Sequence, residues 1–461
     1  TATRFINALI GTGITIHKAV ADFSVAGKNY PAGSYVVKTN QAFRPHVLDM
    51  FEPQDHPNDF QYPGGPPIAP YDAAGWTLAY TMGIQFDRIL DAFDGPFEKL
   101  PNGILQEPKS LIQAEAAAKG YLIDARTNRS FTIANDLLKE GLEIYRITEA
   151  IKEGDYSVGS FYIPVTGKSK TTIEKIITEA GVVANATAKR PLAMQKLSKA
   201  RIALWDNYGG SMSSGWVRYI MEQYHFPVDI VYAKDIDTGN LRSKYDVIVF
   251  VGGAIPALTA TAGNFPQRGG GREPKPEEIP EEFRARIGRI STEKSIPELK
   301  KFMEAGGSVV TIGSSTSLAY HLNLPVKDAL VEMVNGQEKK LPGEKFYIPG
   351  SVLRVSVDTD NQAAWGMNRE ADVYFDASPV FNITPDANSK GAVKPIAWFP
   401  NNKPLRSGWA WGQAYLQNGV TAFEAKVGEG KLFAFGPEIT FRAQTHGTFK
   451  FLFNELYVNS K

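Results

Sequence analysis

The 461-residue chain contains no cysteine, which excludes disulfides, thiolate metal sites and a Cys nucleophile. Its 50 Lys and Arg are matched by 49 Asp and Glu, so no charge excess exists to hold nucleic acid or an anionic membrane. No apolar run reaches the roughly 18 residues of a spanning helix, and the length suits about two or three domains. The chain opens at Thr1 inside an apparent helix, Ala2 to Gly11, without a signal-like segment. It therefore reads as a processed product, an excised piece or one part of a longer polypeptide.

Residues 1–197 read as a duplicated α/β region, with copies at about 1–52 and 128–182. The first copy runs Asn7-Ala8-Leu9-Ile10, Gly13, a strand from Ile14 to Ala19, a hairpin, and Tyr30-Pro31-Ala32-Gly33-Ser34-Tyr35-Val36-Val37. The second runs Asn135-Asp136-Leu137-Leu138, Gly141, Leu142 to Ile147, and Tyr156-Ser157-Val158-Gly159-Ser160-Phe161-Tyr162-Ile163. Each copy is helix, Gly cap, strand, turn and strand, followed by a helix candidate (Gln41 to Phe51, Lys170 to Ala180). The two sheets are expected to pair or to continue one another. Between the copies, Glu52 to Pro70 is rich in Pro and Gly and reads as surface loop wrapping the domain. A helix containing Trp76 follows, Gly75 to Met82.

Residues 198–461 read as a doubly wound, flavodoxin-like domain. Arg201 to Trp205, Val228 to Tyr232 and Tyr245 to Val251 are continuous apolar strands of the doubly buried parallel type. A helix between them places Trp216, Val217, Ile220, Met221 and Tyr224 on one face. The tract 262–289 is rich in Gly, Pro and charge, and reads as a mobile insertion ending in a short helix, Glu281 to Arg289. Helix Ile296 to Ala305 and strand Ser308 to Ile312 resume the fold, and a β-rich section spans Phe346 to Val420. The last thirty residues then close the sheet, with a strand at Leu432 to Phe435 and a helix bearing Phe449, Leu452, Phe453 and Leu456 at i, i+3, i+4 and i+7.

Chemistry has few places to reside. Gly313-Ser314-Ser315-Thr316-Ser317 follows a strand and precedes a helix, the form of a nucleophile elbow. Ser315 with His446 and Glu438 would make a hydrolytic set, although a Ser in such a turn is more often a cap. The six histidines form no HExxH and no ligand pair at helical spacing; His46, Asp49 and His56 lack a matching third ligand. Trp398, Trp409, Trp411 and Tyr415 form an aromatic cluster that suits either a core or a platform for sugars. Trp409, Trp411 and Arg442 are the candidate binding residues.

On these motifs, residues 200–461 resemble a class I glutamine amidotransferase domain. That family's elbow carries a Cys, and a later strand ends in His-Pro-Glu. The corresponding positions here are Ser315 and Gly436-Pro437-Glu438, so the resemblance implies a degenerate amidotransferase-like domain without its base. The whole chain also resembles the non-catalytic region that follows the peptidase domain in large bacterial zinc carboxypeptidases of the carboxypeptidase A-like family. The matching stretches are YPAGSYVV (30–37), RPHVLDMFEPQ (44–54), YDAAGWTL (71–78), WDNYGGSMSSGWVRYIMEQYHFP (205–227), PGSVLRVSVDT (349–359), SGWAWGQ (407–413) and FGPEITFRAQTHGTFKFLFNELY (435–457). No His-x-x-Glu occurs in the chain, so the resemblance implies a zinc site only in a separate peptidase domain of the same polypeptide or particle. It implies an accessory, binding or structural region of an exported protein, with no cofactor of its own and with self-association open. The alternatives are an autonomous serine hydrolase or amidase using Ser315, and a glycan- or small-ligand-binding protein.

Overall fold

The computed structural model describes residues 1–101, 103–105, 110–115, 117–152, 154–258, 274–386 and 391–459. It is a mixed α/β fold with several sheets. No helix among the described residues is long and apolar enough to cross a membrane.

The N-terminal helix Ala2–Gly11 buries Phe5, Ile6 and Leu9, the inward stripe of an amphipathic helix. These pack with Val47 and Met50 of helix Arg44–Phe51 and with Leu78, Ala79 and Met82 in a small core of their own. Strand His17–Ala19 lies between Tyr35–Val36 and Phe97–Lys99 in a three-stranded antiparallel sheet. The expected helix Gly75 to Met82 is shorter, Leu78–Thr81, and leaves Trp76 exposed.

The second copy enters a different sheet. Its strands Tyr145–Ile147 and Phe161–Pro164 pair antiparallel, as His17–Ala19 and Tyr35–Val36 do. Helices Arg129–Lys139 and Lys170–Ala180 flank them in the order of the first copy. The expectation that the two sheets pair or continue one another is not met, because both outer edges of the second pair are already taken. Met194–Lys199 covers one edge and Gly120–Ile123 the other, within a seven-stranded sheet.

The second unit is built on five parallel strands: β1 (Ile202–Trp205), β2 (Asp229–Val231), β3 (Val247–Phe250), β4 (Ser308–Ile312) and β5 (Gly430–Phe435). Their spatial order is β2-β1-β3-β4-β5, a doubly wound order. Every residue of β1 and of β3 is buried, as strands covered on both faces require. Helix Met212–Gln223 packs Val217, Ile220 and Met221 inward, and Tyr224 follows them; Trp216, expected on that face, is exposed instead. Helix Ser295–Glu304 buries Ile296, Leu299, Phe302 and Met303. Beyond β5 the sheet turns antiparallel through Val420–Val427, Val393–Trp398, Ser351–Val357 and Glu370–Phe375. The part of the expected insertion at 262–273 lies outside the described residues. Its expected terminal helix is a 3-10 segment, Glu281–Arg286, whose Arg286 guanidinium lies over Tyr232.

The closing segment does more than complete one sheet. β5 joins β4, but after helix Phe449–Phe453 the final strand, Tyr457–Asn459, leaves the unit and pairs with Met194–Lys199. The expected helix is shorter: it ends at Phe453, so Leu456 is buried beyond it, and Lys450 and Phe451 are buried along with Phe449, Leu452 and Phe453. Phe453 lies 5.2 Å from the Phe131 ring of the first unit, and 4.7 and 5.1 Å from Tyr224 and Phe226 of the second. Phe453→Ala is therefore expected to cost about 3–5 kcal/mol in denaturant unfolding. Because the ring serves both cores, the loss should appear in a single transition. Separate transitions for the two sheets would show that the crossing does not couple them.

Candidate functional site

The carboxyl edge of the parallel strands is where a doubly wound sheet places ligands. β4 runs into Gly313, whose φ of +61° favours glycine, and then into a 3-10 turn, Gly313–Ser317. Ser315 has no solvent exposure. Its hydroxyl accepts hydrogen bonds from the backbone N–H groups of Ala254 and Ile255, both at 3.1 Å, and donates to the Val251 carbonyl. A hydroxyl has one proton and two lone pairs, and all are used here. Ser315 thus braces the loop after β3 and does not cap its own helix. The neighbouring Ser314 Oγ accepts from Gly253 N–H at 2.8 Å.

The other two members of the hydrolytic set lie apart from that hydroxyl. The His446 ring packs on Phe449 at 4.7 Å, and its pKa is pushed down to about 3 by burial and by Arg4, the N-terminus and Lys450. No hydrogen bond joins its ring to Ser315 or Glu438 among the described residues. Glu438 instead presses Oε1 against Gly252 and Gly313. A Cβ would lie 3.1 Å from that oxygen at Gly252 and 2.5 Å at Gly313. Burial, with Asp376 adding repulsion, raises the Glu438 pKa to about 7. At Gly436, where the resembling family has its imidazole, a Cβ would sit 2.1 Å from the Pro379 carbonyl oxygen. The backbone leaves no room for any side chain there, so the base is sterically excluded as well as absent. Arg442 has φ +47° and is committed to a two-pronged pair with Asp72, at 2.7 and 2.9 Å. It clasps the loop before helix Leu78–Thr81 to the closing segment.

The aromatic cluster behaves differently. Trp409 is 2% exposed, and its indole N–H donates to Asn58 Oδ1 at 2.8 Å. His56 stacks on it at 5.2 Å with a 12° tilt, while Phe60 meets Trp409 and Trp411 edge-on. Trp411 is half-buried and donates its N–H to the Glu344 carbonyl. Together they border a cleft of about 400 Å³, also lined by Asp55, His56, Asn58 and Gln413. Trp398 and Tyr415 do not line it. Thr77 and Gln54 both hydrogen-bond Ser407 Oγ, and Gly408 N–H donates to Gln54 O, fastening the Pro-rich segment as the cleft's outer wall.

Sequence reasoning missed Asp55, Asn58 and Gln413 as lining residues and weighed His56 only as a metal ligand. A usable signal existed for the first wall: a run of mostly polar side chains from Gln54 to Tyr62, punctuated by Pro53, Pro57 and Pro63 in the 52–70 loop. Among the described residues no group of three or more His, Asp or Glu side chains is placed to hold a metal ion.

No protein-family model matches the chain, and no curated protein matches it. Solved structures give loose likenesses. A thua-like protein from Bacteroides uniformis has 9% identity and a TM-score of 0.30, covering 54% of this chain and 90% of that one. PurLQS from Thermotoga maritima has 14% identity and a TM-score of 0.31, covering 56% and 98%. A beta-galactosidase from Bacillus circulans sp. alkalophilus has 10% identity and a TM-score of 0.29, covering 60% of this chain and 34% of that one. Likenesses this loose carry no functional argument.

Two outcomes follow from the geometry. Ser315→Ala strands two buried amides and should destabilise the protein by about 1–3 kcal/mol, measured by chemical denaturation. A neutral effect would mean that the hydroxyl is no brace. A carboxyl whose native pKa lies above its unfolded value binds its proton more tightly when folded. Glu438 therefore withdraws stability as pH rises from about 4.3 to about 7. Glu438→Gln should melt progressively higher than wild type across that window, with the difference level above it. A gap independent of pH would contradict the assignment.

Proposed function

We propose that this chain is a binding unit for glycans or similar small polyhydroxylated ligands, received in the cleft between Asp55–Asn58 and Trp409–Gln413. One observation carries the reading. Four side chains around the two indoles keep hydrogen-bonding atoms unused among the described residues: the Asp55 carboxylate, His56 Nε2, Asn58 Nδ2 and Gln413 Nε2. The half-buried Trp411 ring suits the C–H face of a sugar, with Trp409 backing the wall behind His56, and the surrounding acceptors and donors suit its hydroxyls. The volume of about 400 Å³ is that of an ordinary small-ligand site, for which the range is roughly 300–1,000 Å³.

The parallel unit serves this reading as scaffold. We take it as an amidotransferase-like domain whose catalytic edge has become structural, which agrees with the saturated Ser315 hydroxyl and the excluded side chain at 436. On the sequence resemblance alone we also propose that the unit accompanies a zinc metallocarboxypeptidase, whose zinc site lies outside this chain.

Calorimetric titration with a panel of neutral and amino-sugar oligosaccharides tests the binding function. Saturable binding is expected, weakened about tenfold or more by Trp411→Ala or Asp55→Ala, a loss of about 1.4 kcal/mol each. Both residues are partly or fully exposed, so the fold should survive either change. Absence of saturable binding across the panel, or binding indifferent to both variants, would overturn the proposal.

A further inference from the structure

A second cleft, of about 500 Å³, opens where the two units meet. Its walls come from four places: the end of helix Arg129–Lys139, the link from Lys199 to Ile202, the turn after helix Met212–Gln223, and the closing residues Leu456 and Tyr457. The floor is apolar, with Ile202, Phe226 and Leu456 each buried and Leu138 partly so. Its polar groups divide into those already committed and those left over.

Both acids have hydrogen-bond partners, but only Glu222 faces a permanent cation. Asp136 Oδ1 lies 2.7 Å from His225 Nδ1, and Glu222 pairs with Arg218 at 2.8 Å. Asn135 is satisfied as well, donating to Tyr224 O and accepting from the Tyr457 hydroxyl. The cations are left over. Lys139 and Lys199, both exposed at the rim, have no ion-pair partner among the described residues. The cleft therefore presents two lysine charges against one carboxylate, Asp136, that no Lys or Arg pairs among the described residues, a net positive rim above an apolar floor. His225 completes one wall from a left-handed backbone position, φ +59°, and holds its ring toward Asp136.

We infer that this junctional cleft binds a small organic anion, a carboxylate with an apolar body. The carboxylate pairs with Lys139 and Lys199, and the hydrocarbon lies on Leu138, Phe226 and Leu456. Charge without the floor would select inorganic anions, and the floor without charge would select neutral apolar molecules. The combination selects a molecule with both parts. Because the walls belong to both units, an occupant stabilises their junction by mass action.

Titration calorimetry of the intact chain with octanoate tests this site. Saturable binding is expected, weakened about tenfold or more in the Lys139→Gln/Lys199→Gln double variant, in keeping with lost charge-assisted contacts. Octanol should bind more weakly than octanoate and respond little to the same variant. Inorganic phosphate should not displace octanoate. Three results would each overturn the inference: no saturable octanoate binding, equal octanoate affinity in wild type and double variant, or displacement by phosphate at equal concentration. Both lysines are exposed and unpaired, so the double variant tests recognition without threatening the fold.

Discussion

Arg146 sets the terms on which the two units of this protein meet. Its side chain is 3% exposed and lies over three aromatic rings, at 4.6 Å from Phe161 and 5.4 Å from both Phe131 and Trp365. A buried guanidinium needs partners, and Asn454 Oδ1 supplies one at 3.0 Å. Asn454 in turn donates to the carbonyls of Ala363 and Trp365, so one polar chain links the seven-stranded sheet, the closing segment and the β-rich section. Burial lowers the Arg146 pKa only to about 10, and the group stays charged. Gly159 makes room for it: a Cβ there would lie 2.7 Å from the guanidinium and 2.4 Å from Trp365.

The same junction explains where the closing residues go. A helix that packs Phe453 against both cores leaves its C-terminal end beside Met194–Lys199, whose outer edge is unpaired until Tyr457–Asn459 fills it. The other ionisable groups buried here are handled differently: burial pushes Glu455 up to about 8, which leaves it mostly protonated at neutral pH, and lowers Lys450 to about 8, where it keeps its charge and donates to Asn128. Polar groups inside a junction are costly unless satisfied; bonds across the units satisfy Asn454 and Lys450, while Arg146 Nε, His446 Nδ1 and Glu455 Oε1 are buried without a partner among the described residues.

That arrangement bears on function through two clefts, both walled by segments distant in sequence. At the carboxyl edge of the parallel strands, the groups suited to chemistry are engaged in holding loops. Ser315 braces the loop after β3, Arg442 is tied to Asp72, and His446 is buried against Phe449. Unspent hydrogen-bonding capacity lies instead beside Trp409 and Trp411, and unspent positive charge beside Phe226.

Much of the scaffold is legible in the sequence, because it rests on short-range physics. The unbroken apolar run Val247–Phe250 suits a strand covered on both faces, and the spacing of Phe449, Leu452 and Phe453 suits a buried helix. The helix–strand–strand–helix order of the two copies is visible for the same reason: it is a local pattern. Which sheet each copy would join, and what Ser315 would bond, depended on neighbours far along the chain. The Ser315 partners lie 60, 61 and 64 residues away, and Asn58 reaches Trp409 across 351. Periodicity reports which face of an element is apolar, not which remote edge or carbonyl will meet it. The exclusion of a side chain at 436 by Pro379, and the pairing of the 55–58 wall with Trp409 and Trp411, were accordingly decided by tertiary packing alone.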